Sequence, residues 1–411
     1  MQPWLERAAA MRPRTTAVET ATQALTYAQL LERARGAALD AGAGDRVAIA
    51  LPAGIDFAVA LHACLLRGAV PVPIDLRWGE RERAAVLSAA GSVVNAPLRE
   101  AGGGALVAHL PDEHDVALLV HTSGTTGVPR PVALTYGNVL ANALACAVAL
   151  GSAREDRWLC PLPLSHVGGL MTLLRSAIAA TTAVLDVAER RDVTLASYVP
   201  TQLGRLLEAG VAPGPRLRAV LLGGAPADPT LLTRARAAGW PVCPSYGLTQ
   251  TCSAVAIAEP GDTETSGFPL PGARLAIADD GEILVEGPTV AGGGVLRTGD
   301  LGRLDERGRL LVIGRKSDTI VSGGENVAPT EVEAVLLEHP AVAEAGVFGR
   351  PDPQWGEAIV AAVVLRATVE PGELRGFCAA RLARFKVPKA IEAVDALPRN
   401  PAGKLLRRQL R

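Results

Sequence analysis

The chain has 411 residues, of which 49% are apolar, and its formal net charge at pH 7 is −1. This length is too great for one ordinary hydrophobic core and predicts two or three domains. The near-zero charge gives no electrostatic footprint for nucleic acid or an anionic membrane surface. No uninterrupted apolar run approaches the roughly 20 residues that span a bilayer, and the charged N-terminus is unlike a signal peptide. We therefore expect a cytoplasmic protein without nucleic-acid or membrane partners.

The first part of the chain alternates predicted strands and helices. Residues 45–51 predict a strand, Ile55 to Arg67 an apolar helix, and residues 69–74 a second strand, which together make a βαβ unit. Further strands and helices are predicted at 117–120, 138–150 and 217–222. This alternation predicts an α/β fold with largely parallel sheets covered by helices. In such sheets, ligands bind beyond the carboxyl ends of the strands.

The pattern changes twice towards the C-terminus. After about residue 270, turn signals at 279–281 and 306–308 predict a small antiparallel segment. The final part predicts a small α+β domain, with elements at 329–338, 343–349, 357–366, 371–382 and 390–394. We therefore predict an N-terminal domain over residues 1–314, a hinge at 315–317 and a mobile C-terminal domain over 318–411.

One loop has the composition of a phosphate-binding site. Successive backbone N–H groups, hydroxyls and one cation form a nest suited to phosphates when they follow a strand and precede a helix. The residues with this pattern are Thr122, Ser123, Gly124, Thr125, Thr126, Gly127, Val128, Pro129 and Arg130. An ordinary linker has a similar composition, so this loop alone leaves both interpretations open.

Further polar segments follow predicted strands. Two of them, 223–226 and 245–249, predict the walls of a slot in which Tyr246 stacks on a purine. Asp300 and Arg315 supply a carboxylate that accepts hydroxyl hydrogen bonds and a neighbouring cation, which suits a ribose. Tight turns and a surface ion pair are the alternative interpretations.

Lys404 stands at a Gly-Lys step near the C-terminus. It is one of only four lysines among 41 basic residues. The chain uses arginine for almost all of its positive charge, so a compact ammonium kept at this position indicates a specific role. Arginine's planar group is a poor substitute for such a point charge. A solvated basic tail is the alternative for any isolated lysine.

Taken in order, these segments resemble the adenylate-forming superfamily of acyl-CoA synthetases, peptide-synthetase adenylation domains and luciferases. The resemblance covers essentially the whole chain from Leu25 onward. It rests on the ordered motifs Thr-Ser-Gly-Thr-Thr-Gly-x-Pro, Tyr-Gly-Leu-Thr, Thr-Gly-Asp, Gly-Arg-x-x-Asp, His-Pro-Ala-Val, Pro-Asp-x-x-Trp-Gly-Glu and the terminal Gly-Lys. It implies activation of a carboxylic acid by ATP and Mg²⁺ to an acyl-adenylate, followed by thioester formation with CoA.

The resemblance also implies site residues, position by position. ATP would be bound by Thr122, Ser123, Gly124, Thr125, Thr126, Gly127, Arg130, Gly223, Gly224, Ala225, Pro226, Ser245, Tyr246, Gly247, Asp300 and Arg315. The catalytic residues would be Lys404, His166 and Thr249, and the acid would contact His166, Arg175, Gly247 and Thr251. Ser317 would be the hinge, and Gly323 and Gly324 would line the CoA tunnel. A homodimer is also suggested by the family.

Three positions depart from the family pattern. Gln250 stands where a glutamate usually binds magnesium, which predicts a weak metal site held largely by phosphates and water. Pro131 stands where the phosphate loop usually ends in glycine, and it removes one N–H. Ser165 replaces a bulky aromatic residue before His166.

Within the superfamily, residues 161–170, Arg175 and residues 245–253 look most like the o-succinylbenzoate:CoA ligases of menaquinone synthesis. A charged residue in the apolar run around Arg175 needs a partner, which a dicarboxylate substrate or an acidic side chain would provide. Two alternatives stay open. The enzyme activates another aromatic or medium-chain acid for CoA or a carrier protein, or the chain is a catalytically degenerate nucleotide-binding module.

Overall fold

The structure, a computed structural model, describes residues 1–101, 108–122, 129–185, 192–399 and 405–410. Its first two hundred and seventy residues or so alternate helices and strands. The helices there are α1 (Trp4–Met11), α2 (Tyr27–Gly36), α3 (Ile55–Arg67), α4 (Glu80–Leu87), α5 (Tyr136–Ala149), α6 (Val167–Ala179), α7 (Pro200–Glu208) and α8 (Pro229–Ala237). The strands are β1 (Thr16–Glu19), β2 (Ala24–Thr26), β3 (Arg46–Ile49), β4 (Val70–Pro73), β5 (Ser92–Val94), β6 (Val116–Thr122), β7 (Arg130–Thr135), β8 (Arg157–Leu159), β9 (Thr182–Val184), β10 (Leu195–Tyr198), β11 (Ala219–Leu222), β12 (Val242–Leu248), β13 (Ser253–Ile257) and β14 (Phe268–Pro269).

The largest sheet has the strand order β14-β13-β12-β11-β10-β8-β9-β1-β2. Strands β12, β11, β10, β8, β9 and β1 are paired in parallel, and antiparallel pairs occur only towards the two edges of this sheet. Because parallel strands end at the same edge, the loops after β11 and β12 lie beside each other. The predicted fold class is confirmed.

Helix α3 shows how local sequence fixes an element. Its bounds, Ile55–Arg67, coincide with the prediction, and nearly the whole helix is buried in the main hydrophobic core. The helix ends at Gly68, which adopts the left-handed conformation with φ 72°. Glycine adopts this conformation without the steric cost that a side chain imposes, so the helix stops where the sequence predicts.

The phosphate-loop region contains one strand that the sequence analysis did not predict. Strand β7 lies between the loop and the helix predicted at 138–150, and it pairs antiparallel with β6, with Thr122 opposite Arg130. The helix itself is confirmed, since α5 spans Tyr136–Ala149. In β7, Leu134 is buried and its neighbour Ala133 is exposed, which is the alternation of a half-buried strand.

An antiparallel sheet follows, as predicted. It is formed by β15 (Arg274–Ile277), β16 (Glu282–Glu286), β17 (Val295–Leu304) and β18 (Leu310–Arg315). The last sheet contains β19 (Ile320–Ser322), β20 (Glu325–Val327), β21 (Val342–Asp352), β22 (Gly356–Leu365) and β23 (Ala390–Ala393), with α9 (Pro329–Leu337) and α10 (Pro371–Ala379). This C-terminal part has its own hydrophobic core, which includes Val332, Val347 and Ile359. A separate core supports the domain boundary, which stays a prediction.

Among the described residues, no helix has both the length and the apolar content needed to cross a bilayer.

Candidate active site

The main parallel sheet and the antiparallel sheet meet at Tyr246 and Asp300. The hydroxyl of Tyr246, on β12, donates a hydrogen bond of 2.9 Å to Oδ2 of Asp300, on β17. The other carboxylate oxygen, Oδ1, lies 2.7 Å from Nε of Arg315, which is opposite Asp300 in the β17–β18 register. Burial and the neighbouring carboxylate raise the pKa of Tyr246, so the phenol keeps its proton and donates. The structure thus brings together three residues predicted to bind the nucleoside.

Close packing constrains the two segments predicted to enclose the nucleoside, which are the loop after β11 and the end of β12. A Cβ on Gly223, after β11, would lie 2.7 Å from Oγ of Ser245, whose hydroxyl donates to the carbonyl of Leu222 at 2.9 Å. A Cβ on Gly247 would lie only 2.0 Å from the carbonyl oxygen of Ser253. Gly247 is therefore required by the neighbouring backbone, whereas a side chain at position 223 would have to displace the Ser245 hydroxyl. Gly224, Ala225 and Pro226 continue the loop after β11.

The turn after β12 contains the predicted metal and catalytic positions. Residues Thr249–Thr251 form one 3₁₀ turn. Thr251 is fully buried, and its hydroxyl bonds the backbone of Leu248 and Ser253, so the structure gives it a role in stabilising the turn. Its predicted contact with the acid, like the catalytic role of Thr249, stays a prediction. In the described part of the chain, no group of three or more His, Cys, Asp or Glu residues is arranged to hold a metal.

His166 contacts two residues that the sequence analysis missed. It is the N-cap residue of α6, and its Nε2 lies 3.1 Å from Oδ2 of Asp75 and 3.2 Å from Nη2 of Arg77. Asp75 and Arg77 come just after β4, at the carboxyl end of a parallel strand. Polar residues at that position are the signal that could have drawn attention to them.

Arg175 is buried on α6 with a neutral partner. Its Nη2 donates to Oδ1 of Asn142 at 2.6 Å, and its guanidinium lies 5.4 Å from the ring centroid of Trp158. Nε and Nη1 are also buried, and neither has a hydrogen-bond partner among the described residues. The Asn142 amide donates in turn to the carbonyl of Ala254, on β13. The alternative that an acidic side chain pairs with Arg175 finds no support within the described chain.

Several predicted residues lie outside the described residues. They are Ser123, Gly124, Thr125, Thr126, Gly127 and Lys404. At the ends of the phosphate loop, the hydroxyl of Thr122 donates to the backbone carbonyl of Arg130 at 3.3 Å. The roles of these residues stay predictions.

Comparison with known proteins decides the family. The model described as "AMP-binding enzyme" matches residues 5–97 and 95–293, and the model described as "AMP-binding enzyme C-terminal domain" matches residues 331–404. The chain belongs to the AMP-binding enzyme family. This confirms the resemblance inferred from the ordered motifs.

Relatives of this AMP-binding enzyme are similar over nearly its full length. It is 37% identical to the 2-succinylbenzoate–CoA ligase of Bacillus subtilis (strain 168), with 99% of this chain and 97% of the relative covered. The o-succinylbenzoate CoA synthetase of Bacillus subtilis in complex with its acyl-adenylate intermediate superposes with a TM-score of 0.92 at 35% identity, covering 100% and 98% of the two chains. The complex of that synthetase with ATP and magnesium has a TM-score of 0.89 at 36% identity, covering 99% of both chains.

In this AMP-binding enzyme, the predicted hinge lies between two sets of ion pairs. Lys316 contacts Asp280 at 2.7 Å and Glu282 at 3.3 Å, both on the side of the antiparallel sheet. The hydroxyl of Ser317 donates to Asp318 at 3.2 Å. On the other side, Asp318 lies 3.2 Å from Nη1 of Arg407 in the C-terminal segment. Ser317 is therefore a point between two anchored segments, and its role as a hinge stays a prediction.

The predicted CoA-tunnel residues form the turn between β19 and β20. Gly323 and Gly324 both have positive φ, at 61° and 86°. The N–H of Gly323 donates to the carbonyl of Trp355 at 2.8 Å, and a Cβ on Gly323 would lie 3.0 Å from the Trp355 ring. This turn therefore requires glycine, while its contact with CoA stays a prediction.

Proposed function

We propose that this chain is a 2-succinylbenzoate–CoA ligase, which activates the acid with ATP and transfers the acyl group to CoA in menaquinone biosynthesis. The observation that carries the proposal is the alignment over nearly the whole chain with curated ligases of that name. The assembly of Tyr246, Asp300 and Arg315 supports the nucleotide part of the proposal.

The chemistry proceeds in two steps. A carboxylate oxygen of the acid attacks the α-phosphorus of ATP, the bond to pyrophosphate breaks, and an acyl-adenylate forms. The sulfur of CoA then attacks the acyl carbon, the bond to AMP breaks, and the thiol proton leaves to solvent or a nearby base. Electrostatic repulsion between the acid and the α-phosphate opposes the first step. Cationic groups placed where charge develops lower that barrier.

The residues of this chain divide these tasks. Asp300 and Arg315 hold the ribose, the loop ending at Arg130 holds the leaving phosphates, and Lys404 bridges the carboxylate and the α-phosphate. Magnesium, when bound there, would neutralise charge on the pyrophosphate. Because Gln250 is neutral, the ion would be held mainly by phosphate oxygens and water.

Arg175 supplies the proposed recognition of the second carboxylate of the acid. Two nitrogens of this buried cation have no hydrogen-bond partner among the described residues, and such a cation is costly unless an anion compensates it. The partner it does have, Asn142, is neutral, so no described side chain compensates the positive charge of Arg175. A dicarboxylic acid therefore suits this site better than a monocarboxylic acid.

The domain assignment forms part of the proposal. The N-terminal domain, residues 1–314, binds ATP and the acid, and the C-terminal domain, residues 318–411, turns about Ser317. In one orientation it brings Lys404 to the reacting groups, and in the other it presents the turn at Gly323 and Gly324 to CoA. We also assign the protein to the cytoplasm as a homodimer.

The test is a screen of pyrophosphate release with 2-succinylbenzoate, plain aromatic acids and medium-chain acids, each with and without CoA. We expect the highest kcat/KM with 2-succinylbenzoate and a CoA thioester as the product. Arg175→Ala should then lower kcat/KM for the dicarboxylate by at least ~10-fold more than for a plain aromatic acid, because it removes a charged hydrogen bond. Equal losses for both acids would contradict the pocket role. Acyl-adenylate binding without turnover would instead favour the degenerate nucleotide-binding module.

A further inference from the structure

The buried Asp75 connects His166 to Arg77. Its side chain is 3% exposed and accepts hydrogen bonds from the Arg77 guanidinium at 2.6 and 2.8 Å and from the Arg77 backbone N–H at 3.0 Å. Although burial by itself raises the pKa of Asp75, the hydrogen bonds from Arg77 and His166 outweigh it and hold the pKa well below its usual range. The group facing His166 is therefore a carboxylate whose orientation is fixed by Arg77.

The position of this carboxylate decides which ring nitrogen of His166 carries the proton. Oδ2 of Asp75 lies 3.1 Å from Nε2, so an unprotonated Nε2 would direct its lone pair at a carboxylate oxygen. That arrangement is repulsive, whereas Nε2–H donating to Oδ2 is a charge-assisted hydrogen bond. With Nε2–H, the contact of 3.2 Å between Nη2 of Arg77 and Nε2 joins two donors that bind the same oxygen, whereas with Nδ1–H it would be a hydrogen bond from Arg77 to Nε2. The neutral ring then has its lone pair on Nδ1.

We propose that Asp75, held by Arg77, is a positioning residue that fixes the Nε2–H tautomer of His166 and leaves Nδ1 as the acceptor available to the reactants. The side chain of His166 is 34% exposed, whereas that of Asp75 is only 3% exposed, so part of the ring is accessible while the carboxylate is enclosed. The kinetic consequence rests on the acyl-site role of His166 in the proposed function, but the tautomer does not. Carboxylates that orient a histidine in this way commonly set its tautomer.

The tautomer can be measured directly. Long-range ¹H–¹⁵N correlation spectra of the full chain labelled with ¹⁵N-histidine distinguish Nε2–H from Nδ1–H rings, and His166→Gln identifies the signal of His166. At about pH 8 we expect the Nε2–H pattern in the wild-type protein. Asp75→Asn should raise the Nδ1–H population at least ~5-fold, because the amide can also donate to Nε2. A wild-type Nδ1–H pattern, with Nε2 accepting from Arg77, would overturn the proposal.

A double-mutant cycle tests the positioning role. In single-turnover assays, Asp75→Asn should slow the half-reaction that His166→Gln also slows, by ~10-fold or more, and the double variant should be no slower than His166→Gln alone. Additive losses would show that Asp75 acts independently of His166 and would overturn the proposal. If Asp75→Asn fails to fold, Arg77→Lys, which loosens the hold on the carboxylate, replaces it in both measurements.

A matched control separates this effect from a general loss of charge. Glu373 lies 3.7 Å from Nε2 of His339 in the C-terminal part, and its side chain is exposed. Glu373→Gln should leave both the His166 signal and the two half-reactions unchanged. If the protein activates no acid at all, the proposed function fails, while the spectrum still decides the tautomer.

Discussion

Tyr246 and Asp300 join two sheets through one buried hydrogen bond of 2.9 Å between the phenol and Oδ2. Asp300 also lies 2.7 Å from Nε of Arg315, so one carboxylate orients both a ring and a cation. The carboxylate is buried and held by both partners, which suits its proposed role of meeting the two hydroxyls of a ribose in a fixed geometry.

Asp300→Asn should raise KM for ATP about 10- to 100-fold. The substitution removes the charge that strengthens hydrogen bonds to hydroxyls and to Arg315, at about 1.5–3 kcal/mol per such bond. Tyr246→Phe is the matched control, because it removes only the hydroxyl and should change KM for ATP by less than about 10-fold. Initial-rate kinetics with varied ATP measure both. An unchanged KM in Asp300→Asn would exclude Asp300 from the nucleotide site.

Lys404→Ala should slow acyl-adenylate formation by at least ~10²-fold, the scale of losing one preorganised charge donor. Thiolysis of supplied acyl-adenylate should change much less, because Lys404 is proposed to act only in the first half-reaction. Lys386→Ala is a control, since Lys386 pairs with Glu331 at 2.5 Å in the same C-terminal part. Single-turnover assays measure the rates of acyl-adenylate formation and of thiolysis separately. Equal losses in both would contradict the alternating-domain account.

Gly247→Ala should destabilise the protein by about 3 kcal/mol or more and abolish activity. The added methyl would overlap the carbonyl oxygen of Ser253 at 2.0 Å, so β12 and β13 would have to separate. Gly204→Ala on α7 is the control, because its Cβ meets only a leucine side chain at 3.8 Å and alanine favours helices by roughly 0.5–1 kcal/mol. Urea unfolding measures the free energy of unfolding of both variants. A stable Gly247→Ala protein would show that the strands can move apart.

Glu333→Gln should destabilise the C-terminal part by about 3 kcal/mol. Glu333, on α9, accepts from Arg407 at 2.6 and 2.8 Å in a largely buried pair, and the loss of its charge leaves Arg407 without full compensation. Glu344→Gln, which breaks a more exposed pair with Arg399, should cost less than about 1 kcal/mol. Hydrogen exchange of amides in residues 318–399 reports the local stability. Similar effects of both substitutions would contradict this ranking.

Because His62 is buried, the free energy of unfolding should decrease as the pH falls below about 6.5. Burial in α3 lowers the pKa of His62 to about 4, whereas an unfolded chain protonates histidine near pH 6.5. As pH falls from about 6.5 to about 4, the unfolded state binds the proton first, so stability that is fully present above 6.5 is lost, by roughly 3 kcal/mol in total.

His62→Gln removes this titration, so its unfolding free energy should fall less than that of the wild-type protein between pH 7 and pH 4. The exposed His114 provides the control, and His114→Gln should follow the wild-type curve. Urea unfolding at several pH values measures the difference. Parallel curves for the wild type and His62→Gln would show that burial of His62 does not affect the pH dependence.

The sequence alone determined the fold class, the family and the order of the motifs. Helix α3 was predicted with its bounds because its apolar run and Gly68 are local signals. Asp300 and Arg315 were predicted as a pair because both belong to motifs that the family keeps in order, and the β17–β18 register places them opposite each other.

Only the tertiary structure showed the contacts that connect distant segments. Arg77 and His166 are 89 residues apart, and Arg175 meets Asn142 on a different helix. The pairing of β6 with β7, between the phosphate loop and the predicted helix, was also absent from the sequence analysis. The spacing of apolar residues along a segment predicts which face of a helix or strand is buried. The partner of a buried polar side chain depends instead on how whole elements pack against each other, which no single segment encodes.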